Sequence, residues 1–185
     1  FATGSFGVYG TGKLFVKPYT TGATIGVGSG TGTLSLPSSW FTGTSVFKDG
    51  FSSIVLGASD AGNITVGGAN AFVDSVVLQS GGNITLNSGA SITDSQAAGY
   101  IALAATGNFI NNAGASALST TDAGATDRWI VYSNNPGANT FGGLVSGNTA
   151  LWNSTYSTLA PASVGTGNRY VFASALSGIN ITAGY

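Results

Sequence analysis

Gly62-Asn63-Ile64-Thr65-Val66 returns twenty residues later as Gly82-Asn83-Ile84-Thr85-Leu86, and again in altered form as Gly107-Asn108-Phe109-Ile110-Asn111. A second element alternates with it: Ser53-Ile54-Val55-Leu56, Ser75-Val76-Val77-Leu78 and Tyr100-Ile101-Ala102-Leu103. The offsets locate what is fixed and what is elastic. Asn83 to Asn108 and Leu78 to Leu103 are both steps of 25, whereas Asp74-Ser75 to Asp94-Ser95 is a step of 20, which predicts a five-residue loop insertion at residues 96–100. Leu56 to Leu78 is 22 against 20 for Asn63 to Asn83, which puts a two-residue excess at residues 57–61. Constant strands joined by variable corners are the signature of stacked repeats, because each repeat buries its apolar face only against its neighbours.

Alternation with period two turns Ile64, Val66, Ile84 and Leu86 inward and Thr65 and Thr85 outward. Stacking then sets Ile64 on Ile84 and Phe109, and Leu56 on Leu78 and Leu103. Gly62, Gly82 and Gly107 are expected at corners with positive φ, and Asn63, Asn83 and Asn108 as a ladder of mutually bonded amides. Upstream, Lys13-Leu14-Phe15-Val16-Lys17, Thr24-Ile25-Gly26-Val27 and Thr33-Leu34-Ser35-Leu36 read as strands, with Leu34 and Leu36 matching Ile64 and Val66 thirty residues on. Residues 37–50, with Trp40, Phe41 and Phe47, read as an excursion from the stack.

Downstream, residues 113–126 read as a loop or loosened coil. Asp127-Arg128-Trp129-Ile130-Val131-Tyr132-Ser133, Arg169-Tyr170-Val171-Phe172-Ala173 and Ile179-Asn180-Ile181-Thr182 follow as strands, with an aromatic-rich excursion over residues 139–168. The expected architecture is all-β: a right-handed parallel β-helix (solenoid) with coils of about 20–25 residues and loop excursions. One domain spans 1–185, with early coils or a cap at 1–49, regular coils at 50–133, and the aromatic excursion and final strands at 134–185.

Composition narrows the chemistry. Thirty glycines, only 6% charged residues, no Glu, and no Cys, Met or His disfavour a helical or α/β enzyme. Catalysis by His or Cys and zinc ligation by N or S donors have no residues to use. Five scattered cations against six Asp form no basic patch for nucleic acid. No run approaches the roughly 20 apolar residues of a membrane helix. The opening Phe1-Ala2-Thr3-Gly4 is not a basic-then-apolar leader, so the chain reads as a piece of a longer exported polypeptide.

Two clusters remain as candidate sites. Asp74 and Asp94, one coil apart, would share one face at a spacing usable by a carboxylate glycosidase, or would bridge a calcium ion. The duller reading is an Asp-Ser turn repeated because the coil repeats. No sugar-stacking ring or cation neighbours them in sequence. Trp152, Tyr156 and Trp40 are candidate glycan contacts by ring stacking, with packing at the end of the stack as the alternative. Asp127, Arg128 and Arg169 read as solvated corners. Asn63, Asn83, Asn153 and Asn180 fit glycosylation sequons, which in Thr-rich strands arise by chance. No cofactor is implied.

The blocks Asp127-Arg128-Trp129-Ile130-Val131-Tyr132-Ser133, Phe141-Gly142-Gly143-Leu144, Ser146-Gly147-Asn148-Thr149-Ala150-Leu151-Trp152 and Gly167-Asn168-Arg169-Tyr170-Val171-Phe172, after the Gly-Asn-Ile-Thr repeats, resemble the filamentous-haemagglutinin-like exoproteins of bacterial two-partner secretion, near the carboxyl end of their shaft. The resemblance covers residues 50–173. It implies a right-handed parallel β-helix exported through an outer-membrane secretion partner to the cell surface or beyond. It further implies a role in adhesion, aggregation or biofilm matrix, and no catalytic residues. The expected partners are other copies or neighbouring coils and surface or matrix polysaccharide. Against this structural reading stand a β-helical polysaccharide lyase or hydrolase and a carbohydrate-binding module.

Overall fold

The computed structural model describes residues 7–120 and 126–176. It is all-β, and each of its named strand pairs is parallel. The chain opens with β1 (Lys13–Val16), β2 (Ile25–Gly28) and β3 (Leu34–Leu36). It then passes three times, in the same order, through three sheets: β4 (Ser53–Gly57), β5 (Ile64–Gly67), β6 (Ala69–Phe72); β7 (Val76–Ser80), β8 (Ile84–Leu86), β9 (Ser91–Asp94); β10 (Tyr100–Ala105), β11 (Phe109–Asn111), β12 (Leu118–Thr120). β13 (Arg128–Ser133) and β14 (Arg169–Phe172) return to the first sheet, whose order is β1-β4-β7-β10-β13-β14. The second sheet runs β11-β8-β5-β2-β3 and the third β12-β9-β6.

The expected stacks are in register. Ile64 pairs with Ile84 and Ile84 with Phe109, while Leu56 pairs with Leu78 and Leu78 with Leu103. All six side chains are fully buried in one core cluster that draws on all three sheets. Each such side chain contributes roughly 1.5–3 kcal/mol by leaving water.

Four expectations change. Each pass holds three strands rather than two, and β12 occupies residues expected to be loop. The third sheet leaves no alternating signature in the sequence because its inward positions are partly polar: Asn70 and Asp94 point in beside Phe72 and Ile92. The five-residue insertion is also divided. Ile64 pairs with Ile84, Ala69 with Ser91 and Val76 with Ile101, so two extra residues fall between β8 and β9 and three between β9 and β10. The shorter excess holds where it was placed, since Gly57 pairs with Gln79 and Ile64 with Ile84.

The third change concerns the Gly-Asn word. Positive φ is absent at Gly62, Gly82 and Gly107. Glycine is needed there for closeness: a Cβ on Gly82 would collide with Asn63 Oδ1, and one on Gly107 with Asn83 Oδ1. The asparagines do not bond amide to amide. Asn63 Oδ1 accepts the Asn83 backbone N–H at 2.8 Å, and Asn83 Oδ1 that of Asn108 at 2.8 Å. Asn139 and Asn168 continue the device by accepting from Phe109 N–H and Trp129 N–H.

Finally, Ile25 and not Leu34 sits beside Ile64. Leu34 pairs on the outer side of Ile25, after a link of only five residues. That link crosses bare backbone, for side chains at Gly26, Gly30 or Gly32 would strike neighbouring main chain. Residues 37–50 do leave the stack, and Phe41, fully buried, lies 4.6 Å from Phe72, ring centre to ring centre. The expected strand Ile179-Asn180-Ile181-Thr182, with its sequon at Asn180, lies outside the described residues.

Candidate functional site

Asp74 sits in the corner between β6 and β7, and Asp94 ends β9. They meet the same corner region, but Asp94 is in register with Phe72 and not with Asp74, because the insertion begins before β9. Both are fully buried. Asp74 Oδ1 accepts the Gly50 N–H at 3.0 Å, and Asp94 Oδ1 accepts the Gln96 N–H at 2.9 Å. Loss of water raises both carboxyl pKa values. Asp94 reaches about 6, with the Gln96 N–H opposing the rise and the charges of Asp127 and Asp74 adding to it. Asp127, expected in solvent, is 9% exposed, and neither of its oxygens is hydrogen bonded.

Carboxylates shut away from solvent cannot meet a glycan, which argues against a glycosidase pair. Among the described residues no group of three or more acidic side chains is arranged to hold a metal ion. The Asp-Ser repeat does serve turns: Asp94 caps its own corner through Gln96, and Gln96 Oε1 accepts from both the N–H and the hydroxyl of Ser75.

The three candidate aromatics occupy three places. Trp40 packs edge-on against Phe47 at 5.8 Å in the excursion that follows β3. Trp152 lies 5.0 Å from Phe172 and lines an apolar groove of about 490 Å³ with Phe141, Leu144, Val145 and Tyr170. Tyr156 meets Tyr132 edge-to-face at 5.6 Å on the outer side of the first sheet. They do not form one glycan platform. Trp129, 3% exposed and 5.2 Å from Tyr170, is core.

What these residues build together is a cover over residues 134–176. Leu151 donates to Tyr170 O and accepts from Phe172 N–H, while the Ser154 N–H reaches Phe172 O at 3.1 Å, so the outer edge of β14 is occupied. Thr140 does the same for β11, exchanging bonds with Phe109 and Asn111. Leu151, Tyr156, Leu159 and Val164 lie over the outer face of the first sheet and make a second core with Val55, Val77, Ala102, Ile130 and Val171.

Arg128 and Arg169 are fasteners and not solvated corners. Arg128 donates to Pro161 O at 2.8 Å, and Arg169 to Thr149 O at 2.9 Å. The Tyr170 hydroxyl, its pKa pushed up to about 12 by burial, donates to Leu144 O at 2.7 Å. Gly142 and Gly143, at φ 60° and 80°, let the chain turn against Asn111 before Leu144. A guanidinium one residue into a strand, facing a long excursion, was the available signal for these clamps.

Of the sequons, Asn63 and Asn83 spend Oδ1 on the next Asn, while Asn153 is exposed with φ 53°. Comparison of the chain with protein-family models, with curated proteins and with solved structures found no match.

Proposed function

We propose that the chain is a non-enzymatic, load-carrying segment of a right-handed parallel β-helix in a secreted or surface-displayed bacterial exoprotein, of the filamentous-haemagglutinin-like kind that its sequence blocks resemble. Its role in this reading is adhesion or matrix building, with an outer-membrane partner exporting the parent protein. The observation that carries the architecture is the repeated order of strands, β4-β5-β6, β7-β8-β9 and β10-β11-β12, each falling beside its counterpart in a parallel sheet. Right-handed crossovers are the rule for parallel strands. Six strands spaced by ~4.8 Å give a rod section about 24 Å long.

Residues 134–176 serve as the cap of the carboxyl side, while among the described residues β1 keeps an open edge with Phe15 63% exposed between Lys13 and Lys17. Neighbouring coils or another copy are the natural occupants of that open edge. Negative-stain electron microscopy of the purified chain should show short rods joined, when joined, at one end only, and the chain coupled to beads should hold them on bacterial matrix polysaccharide or cells. Globular particles of no constant width would remove the rod reading, and beads that do not adhere would remove the adhesive one.

A further inference from the structure

The groove of about 490 Å³ beside Trp152 is the mouth of the main core. Tyr170 and Phe172 line it from β14, the last strand of the first sheet, with their rings stacked at 6.2 Å. Phe141, one residue past the Thr140 rung on β11, lies 4.8 Å from Tyr170. Phe141 and Trp152 are only partly buried, and Val145 is 77% exposed. Among the described residues, none that lines the groove is charged. In earlier layers of the second sheet such apolar ground is covered by the next pass: Ile84 lies beside Ile64, and Phe109 beside Ile84. No strand follows the Thr140 rung among the described residues.

The chain itself arrives at the groove's rim. The Ser174 N–H donates to Asn134 O at 2.9 Å, and Ser174 O accepts the Asn153 N–H at 3.1 Å. Asn134 is two residues from Pro136 and Asn153 adjoins Trp152, and both Pro136 and Trp152 line the groove. Ser177-Gly178-Ile179-Asn180-Ile181-Thr182-Ala183-Gly184-Tyr185 follows, uncharged throughout. The five residues from Ser174 to Ile179 span up to about 17 Å, more than twice the roughly 7 Å that can separate Asn134 from Pro136. Asn180-Ile181-Thr182 also repeats the word of residues 63–65 and 83–85, in which the Ile opens a second-sheet strand and is fully buried. Period two would set Ile179 on the face of Ile181, with Asn180 and Thr182 on the other.

We propose that this groove is the seat of the chain's own residues 179–182, with Ile179 and Ile181 turned onto Phe141, Trp152 and Phe172. Contiguous exposed apolar ground of this kind marks a contact site. An uncharged groove matches an uncharged segment, since neither leaves an ion without water. A segment tethered at the rim also meets the groove at an effective concentration on the order of millimolar, against which any free partner has to compete. Once seated, it completes the cover of the carboxyl side and leaves the β1 end as the one open to partners. The inference concerns this cover alone, so it stands or falls apart from the adhesive role proposed above.

The chain has no cysteine, so Val145→Cys combined with Ile181→Cys introduces its only two thiols. Mild oxidation of this full-length variant should close a disulfide within one chain, seen as a faster band on a non-reducing gel. Tyr19→Cys with Ile181→Cys, which pairs the same segment with a fully exposed residue beyond β1, should not close one. A second measurement compares two faces of the segment. Ile179→Ser with Ile181→Ser should raise the binding of an apolar-surface dye several-fold, whereas Asn180→Ser with Thr182→Ser should leave it unchanged. A bridge formed only between two chains gives the groove to a second copy and overturns the proposal. So does the absence of a Val145–Ile181 bridge, or dye binding that is equal in the two face variants.

Discussion

At the scale of single residues, the chain spends polar groups inside its stack. Asp94 starts from the ordinary value of 3.8 and rises to about 6 when buried, and Asp74 rises too. A carboxyl whose folded pKa is raised favours the folded state while protonated. Its stabilisation is therefore full below about pH 4 and is lost as pH climbs through 6, opposite to a salt-bridged Asp. The chain should melt higher at pH 4.5 than at pH 7.5, and Asp94→Asn should flatten that difference, gaining on the order of 2–3 kcal/mol at pH 7.5. Urea titrations at the two pH values check this; equal midpoints for the unaltered chain would reject it. The Gly-Asn word gives a second residue-scale expectation. Gly107→Ala puts a methyl against Asn83 Oδ1 and should cost about 1–3 kcal/mol. Relieving the clash with Asn83→Ala should recover part of that loss, and a double-mutant cycle will measure how much.

At the scale of elements, strands are held by like side chains stacked on like, and corners by backbone acceptors. Leu78→Ala, flanked by Leu56 and Leu103, should destabilise the chain by about 2–5 kcal/mol. Val145→Ala, 77% exposed, should cost almost nothing in the same melt. The first and second sheets were legible in the sequence because their inward positions are mostly apolar and recur every 20 to 25 residues. The third sheet was not. Its short strands Ala69–Phe72, Ser91–Asp94 and Leu118–Thr120 place Asn70, Asp94 and Thr120 on the inward register, so alternation of polarity is lost while alternation of direction persists. Asn70 survives there because its side-chain amide reaches the carbonyls of Gly67, Gly68 and Ser91. The candidate carboxylates shared this difficulty: the register of Asp94 depends on where the insertion is divided, and only the pairing of β6 with β9 fixes that.

At the scale of the molecule, the two ends are unlike. The carboxyl side closes over β14 and β11 with its own backbone, whereas among the described residues β1 is the edge strand of the first sheet, flanked by Lys13 and Lys17, a common defence against strand addition. Loosening the cover with Arg128→Ala and Arg169→Ala together should expose the second core and the β14 edge. Sedimentation should then reveal more concentration-dependent association than the unaltered chain shows; sedimentation of a folded double variant identical to that of the unaltered chain would deny the arginines this role. By itself the sequence determined the all-β class, the parallel repeat and the stacks of Ile64 on Ile84 and Leu56 on Leu78, since offsets and period-two patterning are properties of the chain as written. The tertiary structure alone decided what residues 139–168 do, why Gly82 and Gly107 are glycine, and where Tyr132 and Tyr156 meet. Those facts arise from contacts between residues nineteen or more positions apart, whose closeness is set by how the passes pack and leaves no local pattern to read.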